Sequence, residues 1–211
     1  MTVITRRLAT ALILSAIGFA AQAQTPPAAT PPAAPATRIR GTILSPDGNI
    51  LSVTTREGPV VKVTLNDPLT VMTVKKVNLA DVTAGKYVGA AAEPGPDGEL
   101  IAREVLVFPE TGRGTGEGHF PWDLTGKSSM TNANVDAVVQ GANGNLLTLT
   151  HKGGSVKIRV PAGVPVVTPA PAAREDLKPG QVVFFGATKA ADGSLSAGRV
   201  FVAKDGVAPP M

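Results

Sequence analysis

Apolar and polar residues alternate along most of the chain, in short runs that are separated by turn residues. A period of two predicts β-strands with one buried face, whereas an amphipathic helix has a period near 3.6. Turn sequences such as Asp47-Gly48-Asn49 supply the backbone angles that tight hairpins require. In the first half of the chain, the pattern predicts a helical turn at 79–84 and strands at 38–44, 50–56, 60–65, 69–74, 86–93 and 100–108.

The same pattern occurs a second time, displaced by 95 to 96 residues. Gly48-Asn49-Ile50-Leu51 recurs as Gly144-Asn145-Leu146-Leu147, and Asp97-Gly98-Glu99-Leu100 recurs as Asp192-Gly193-Ser194-Leu195. A fixed spacing with a shared order indicates an internal duplication. The sequence therefore predicts two copies of one domain, followed by a short tail; the copies span 38–110 and 134–206, the linker 111–133 and the tail 207–211.

Five or six short strands in each copy are too few for a β-sandwich. They suit a small closed or partly open barrel of the OB or SH3-like kind, since closure removes exposed strand edges. The predicted fold class is therefore all-β, with two tandem small β-barrels joined by an ordered Gly/Pro-rich linker at 111–133.

The first residues predict export from the cell. Arg6 and Arg7 precede an apolar stretch at 8–20, and Ala21-Gln22-Ala23 is a small-x-small cleavage site. We interpret residues 1–23 as a cleaved signal peptide and residues 24–37, rich in Pro and Ala, as a disordered linker. No later stretch is long and apolar enough to predict a transmembrane segment, so the expected location of the mature chain is the periplasm.

Composition excludes several classes of function. The chain has no cysteine, which excludes disulfides, thiolate metal sites and thiol nucleophiles. The formal net charge is +4, and neither copy carries the dense basic stripe that binding to nucleic acid requires. Nucleic acid is therefore not an expected partner.

The predicted linker contains the most unusual segment of the chain. It holds the only tryptophan and one of the two histidines, and glycine occupies every second position from 112 to 118. In a chain with only 4% aromatic residues, neighbouring aromatic side chains need an apolar surface to cover. The candidate residues for binding a ligand or partner are Arg113, Glu117, His119, Phe120, Trp122 and Asp123.

Two interpretations of this segment remain open. His119, Glu117 and Asp123 are oxygen and imidazole donors, which predicts a divalent metal site, although a zinc site usually has three or four His or Cys ligands. Alternatively, Phe120 and Trp122 pack the linker between the barrels while the two carboxylates pair with Arg113 or Lys127. The other histidine, His151, lies in a predicted hairpin turn and is expected at the surface.

The sequence favours no enzyme class. It contains no Gly-x-Ser-x-Gly, and the glycines at 112–118 lack the Lys-Ser/Thr ending of a P-loop. Pro121 also interrupts any helix that a dinucleotide-binding motif would need. No cofactor is expected beyond the possible divalent metal.

The two copies and the segment PETGRGTGEGHFPWDL resemble a bacterial exported family, domain of unknown function 5666, over nearly all of the mature chain. The resemblance implies no activity and no catalytic residues. Some similar sequences carry the name metal ABC transporter permease, but a permease needs several apolar spans of about twenty residues. We expect a non-enzymatic periplasmic binding or interaction module for an envelope protein or a small ligand. A structural or envelope-stress spacer and a divalent-metal-binding protein are the alternatives.

Overall fold

Twelve β-strands form the regular structure. A computed structural model describes residues 37–209, so the predicted signal peptide and nearly all of the predicted Pro/Ala linker lie outside the described residues. The strands are β1 (Thr37–Asp47), β2 (Ile50–Thr55), β3 (Val60–Lys76), β4 (Tyr87–Pro94), β5 (Leu100–Val107), β6 (Gly118–Pro121), β7 (Ser129–Val139), β8 (Asn145–His151), β9 (Gly154–Val160), β10 (Val166–Pro171), β11 (Val182–Lys189) and β12 (Leu195–Val202). Three short 3-10 turns (Leu79–Asp81, Glu110–Gly112, Arg174–Asp176) complete the described elements. The all-β prediction is confirmed.

Five strands form a closed β-barrel, which we call the terminal barrel because it joins both ends of the described chain. Its strands follow the order β12-β11-β1-β2-β3, and a parallel pairing between β12 and β3 closes it. Inward-facing apolar side chains such as Leu51, Val63, Phe185 and Val200 fill its core. Their alternation with outward residues is the period-two pattern that the sequence shows.

A second set of strands, which we call the central ring, has the same order. Its strands follow the path β5-β4-β7-β8-β9, and β5 also pairs with β9 in parallel through Leu100 opposite Ile158. This contact corresponds to Leu195 opposite Val63 in the terminal barrel, displaced by the repeat spacing. A separate apolar core lies inside these strands.

The two repeats exchange their last hairpins. Strands β1–β3 of the first copy pair with β11 and β12 of the second copy, whereas β7–β9 of the second copy join β4 and β5 of the first. Each apolar core accordingly contains residues of both copies. The predicted arrangement, with one barrel in each of 38–110 and 134–206, is therefore corrected: the described residues belong to one compact unit with intermixed strands.

Strand β3 makes this exchange possible. The sequence predicts a break between 60–65 and 69–74, but the structure has one strand of 17 residues. Its second half pairs antiparallel with β10, which in turn pairs with β5 of the central ring. The chain therefore leaves the terminal barrel along β3 and continues into the central ring.

Candidate functional site

The segment between β5 and β7 crosses from the central ring to the terminal barrel. We call residues 108–128 the strap. It contains the 3-10 turn Glu110–Gly112 and strand β6, which pairs antiparallel with the start of β7. Hydrogen bonds fix both ends of the strap to the strands around it.

Arg113 fixes the first part of the strap to the central ring. Its guanidinium donates two hydrogen bonds of 2.8 Å to the carboxylate of Glu110, and it also donates to the Gly85 carbonyl at 2.9 Å and to the Asn134 side chain. The hydrogen bond from Arg113 holds the pKa of Glu110 below its ordinary value. Arg113 therefore has a structural role in anchoring the strap.

Glu117 makes a second anchor on the same ring. Its carboxylate accepts the backbone N–H of Lys152 at 3.0 Å, and the Lys152 ammonium lies 3.6 Å away. Next to it, the Gly116 carbonyl accepts from the Asn132 amide and the Thr115 carbonyl accepts from the Tyr87 hydroxyl, each at 3.1 Å. Burial raises the pKa of Tyr87, so this hydroxyl remains a donor at neutral pH.

Trp122 lies against the terminal barrel. The guanidinium carbon of Arg38 is 4.1 Å from the centre of the indole, and that of Arg40 is 5.3 Å away. The indole also meets Phe120 and Phe184 edge-on, with ring centres 6.1 and 6.3 Å apart. Arg38 and Arg40 lie on the outer face of β1 because Ile39 between them enters the core.

Asp123 completes this contact with an ion pair. One carboxylate oxygen lies 2.9 Å from Arg40 and 3.8 Å from Arg38. Burial raises the pKa of Asp123, but the hydrogen bond and charge of Arg40 outweigh this effect and hold the pKa below its ordinary value. Arg56 donates to the carbonyls of Asp123 and Leu124, at 2.9 and 3.2 Å. Three arginines of the terminal barrel thus bind the strap.

The structure does not assemble the predicted metal ligands. His119 is held by Thr131, with Nδ1 2.8 Å from the hydroxyl oxygen. Glu117 contacts a lysine of the central ring, and Asp123 contacts arginines of the terminal barrel. Across residues 37–209, no group of three or more His, Asp or Glu side chains is placed to hold an ion. The ion pairs of the two carboxylates differ from the expected ones, since Glu117 pairs with Lys152 and Asp123 pairs with Arg38 and Arg40.

A cavity of about 190 Å³ lies where the two rings and the strap meet. We call it the junction cavity. Its apolar wall is formed by Leu106, Phe108, Trp122, Met130, Phe184 and Phe201. Tyr87 packs against Phe108, and Phe120 packs against Trp122. Of the seven aromatic side chains in residues 37–209, four line this cavity and two more pack against them, while the seventh, Phe185, lies in the terminal core.

Two charged side chains also line the junction cavity. Glu104 of β5 is only 8% exposed, and Arg199 of β12 is exposed. They occupy equivalent positions of the two repeats, as do Leu106 and Phe201. The cavity thus forms between the outer faces of two equivalent hairpins, β4–β5 and β11–β12, whose side chains at equivalent positions differ.

Gly89 keeps one wall of the cavity open. It is the repeat equivalent of Phe184, and a Cβ at this position would lie 2.6 Å from the Asn132 side chain and 3.2 Å from the Phe108 ring. Real Cβ atoms essentially never approach a neighbour as closely as 2.6 Å. A glycine therefore permits the close packing of Phe108 that shapes this side of the cavity.

The sequence pointed to the strap but missed its partners. Four residues of this site are far from Trp122 in the chain and belong to no motif: Arg38, Arg40, Phe184 and Phe201. A signal was present in the alternation Arg38-Ile39-Arg40, which places two charges on the outer face of β1. Outward charges on a strand are common, so the pattern alone does not mark a site.

No protein-family model matches the chain, and comparisons with curated proteins and with solved structures give no significant match. In the part of the chain that the structure describes, no helix has the length and apolarity needed to cross a membrane. The geometry of the strap and the junction cavity is therefore the basis for a proposed function.

Proposed function

We propose that this chain is an exported, non-enzymatic binding module that takes a small, flat, apolar ligand in the junction cavity. The observation that carries this proposal is the concentration of aromatic side chains around one cavity in a chain that is otherwise poor in them. Ligand pockets are concave and mostly apolar, with a few polar groups that fix orientation. Glu104 and Arg199 supply such polar groups here.

The size of the junction cavity supports a small ligand. An apolar cavity of about 150 Å³ in another protein stays dry and binds benzene. The junction cavity, at about 190 Å³, is in the range that accommodates one aromatic ring with a substituent. We therefore infer a ligand with a single ring or a group of similar size.

The proposed module consists of two OB-type barrels that exchange hairpins. A five-stranded barrel closed by a parallel pair is the topology of the terminal barrel, and the central ring repeats its strand order. The cavity lies on the outer faces of both sets of strands, where the strap covers it. Export to the periplasm, inferred from residues 1–23, is part of this proposal.

A structural spacer is the competing function, and packing distinguishes the two. A junction that serves only for stability is expected to be filled by its own side chains, because protein interiors are packed at high density. The described junction instead leaves an apolar cavity, partly open to solvent, with aromatic rings on its wall. This observation favours a ligand.

Trp122 provides the test, since it is the only tryptophan of the chain and lines the cavity. Single-ring compounds such as benzyl alcohol, benzoate and benzylamine would be titrated into the mature protein while Trp122 fluorescence and the melting temperature are recorded. Saturable quenching with a rise in melting temperature is expected for at least one compound. If none of them binds, the junction is packing alone and the spacer function is favoured.

A cavity-filling variant checks the location of binding. Leu106→Phe introduces the side chain that its repeat equivalent Phe201 already carries, and it reduces the cavity volume. We expect binding to be lost while the protein stays folded. Leu44→Phe is the matched control, because Leu44 is 56% exposed and does not line the cavity.

A further inference from the structure

Arg40 is buried, and three of the five N–H donors of its guanidinium, on Nε and Nη2, have no partner among residues 37–209. Its side chain is 8% exposed, and Nη1 pairs with Asp123. A buried donor without a partner is costly, and such groups in folded proteins call for an explanation.

The unused nitrogens form one edge of the guanidinium. Nε and Nη2 together make the fork that binds both oxygens of a carboxylate in parallel. Asp123 does not use this edge, since its single contact with Arg40 is through Nη1. The edge is therefore a preformed donor pair for a carboxylate.

This guanidinium does not line the junction cavity, but it lies next to two aromatic rings that do. Its central carbon is 4.7 Å from the centre of the Phe184 ring and 5.3 Å from that of Trp122, and both rings line the cavity. The guanidinium carbon of Arg38 is 4.1 Å from the centre of the same indole and adds a second positive charge next to this wall. Because Nε and Nη2 of Arg40 have almost no exposed surface, a carboxylate in the cavity reaches the fork only if Trp122 or Phe184 moves aside.

We propose that the junction cavity binds small aromatic carboxylic acids, whose ring occupies the apolar space and whose carboxylate is held by the Nε–Nη2 edge of Arg40. This inference rests on the proposed function, because it names the ligand class of the same cavity. Arg199 at the cavity supplies a further positive charge, while Asp123 competes with the ligand for Arg40. Glu104 is the one acidic group that lines the cavity, and it would favour a cation.

The test compares three compounds of nearly equal size on the unaltered mature protein, with Trp122 fluorescence and calorimetry as readouts. Benzoate is expected to bind about tenfold or more tightly than benzyl alcohol, because a charge-assisted bidentate contact is added. Benzylamine is expected to bind no better than benzyl alcohol. Equal binding of all three would leave the cavity as a site for neutral rings and overturn the preference for acids.

Other outcomes separate this inference from the proposed function. A preference for benzylamine would assign the polar contact to Glu104 and overturn the role of Arg40. Binding of none of the three would overturn both proposals together. Because these comparisons use the unaltered protein, they remain decisive even if a variant fails to fold.

Variants then locate the carboxylate. Arg40→Lys keeps the charge but removes the fork, so we expect the preference for benzoate over benzyl alcohol, measured as the ratio of their affinities, to fall at least tenfold. Arg159→Lys is the matched control, since Arg159 forms a similar bidentate contact with Glu99 and does not line the cavity. Asp123→Asn removes the competing carboxylate and is expected to tighten benzoate binding. A benzoate affinity unchanged in both Arg40→Lys and Asp123→Asn would contradict the proposed contact.

Discussion

Val74 of β3 lies directly opposite Pro169 of β10, and the two residues occupy the same position in the two repeats. The neighbouring pairs are reciprocal: Met72 faces Pro171 and Lys76 faces Val167, so that exchanging the repeats reproduces the same pairing. The two copies therefore meet around an approximate two-fold axis at this pair. The relationship is that of a hairpin-exchanged dimer contained within one chain.

The hairpin exchange predicts that the two cores unfold together. Phe185→Ala in the terminal core is expected to destabilise the protein by about 3–5 kcal/mol, because Phe185 is only 2% exposed. The terminal barrel and the central ring each contain strands of both copies. Unfolding of the terminal barrel is therefore expected to destabilise the central ring as well. Denaturant unfolding of the unaltered protein and of Phe185→Ala should each give a single transition, which coincides whether it is followed by Trp122 fluorescence or by circular dichroism.

The matched control for this prediction is Leu44→Ala, at a residue that is 56% exposed. It is expected to change the free energy of unfolding by no more than about 0.5 kcal/mol. Two well-separated transitions in the unaltered protein would show that the rings unfold independently and would contradict the prediction.

The ion pair of Asp123 predicts an acid-sensitive strap. Because the folded pKa of Asp123 is below its ordinary value, the pair stabilises the strap above the unfolded pKa of about 4. This contribution is lost as the pH falls through the folded pKa. Trp122 fluorescence should therefore change below about pH 4, before or during global unfolding.

Asp123→Asn is expected to remove this local response to acid. Asp176→Asn is the control. The pKa of Asp176 is also lowered, mainly by its hydrogen bond with Lys204, but neither residue belongs to the strap. A fluorescence change that survives Asp123→Asn unaltered would assign the response to another carboxylate.

Arg56 predicts the local stability of the strap. Its two hydrogen bonds to the carbonyls of Asp123 and Leu124 are worth about 1–2 kcal/mol together in an exposed setting. Arg56→Ala should accelerate amide exchange and proteolysis in the strap while leaving exchange in the terminal core nearly unchanged. Equal acceleration throughout the terminal barrel would instead indicate a global effect.

At Gly89, a side chain is accommodated only if the side chains of Asn132 and Phe108 move. Gly89→Ala places a Cβ against Asn132 and Phe108, so a loss of about 1–3 kcal/mol in unfolding free energy is expected. Gly126→Ala is the matched control, because a Cβ at Gly126 meets no atom within 4 Å. Thermal or denaturant unfolding of the two variants provides the comparison, and equal stability would show that the neighbours of Gly89 yield readily.

Part of the candidate site was predictable from composition. Trp122 is the only tryptophan in a chain with few aromatic residues, and Asp123 follows it directly, a few residues after the run of glycines at 112–118. Their arginine and phenylalanine partners come from β1 and β11, and no local pattern connects these strands to the strap. Contacts between segments that are distant in sequence leave no periodic signal, so Arg40 and Phe184 could be identified only in the folded chain.

The all-β class and most strand positions follow from the sequence alone, because alternation and turn chemistry are local properties of the backbone. The duplication inferred from the spacing of 95 to 96 residues stays a prediction. The tertiary structure decided which strands pair. The last hairpins of the two copies have similar patterns of apolar and polar residues. A period of two indicates which face of a strand is buried, but not which strand it pairs with. The sequence predicts a break at 66–68, but β3 is uninterrupted. It leads the chain from the terminal barrel into the central ring, which produces the hairpin exchange. The junction cavity exists only as a consequence of that exchange, since its walls come from both repeats.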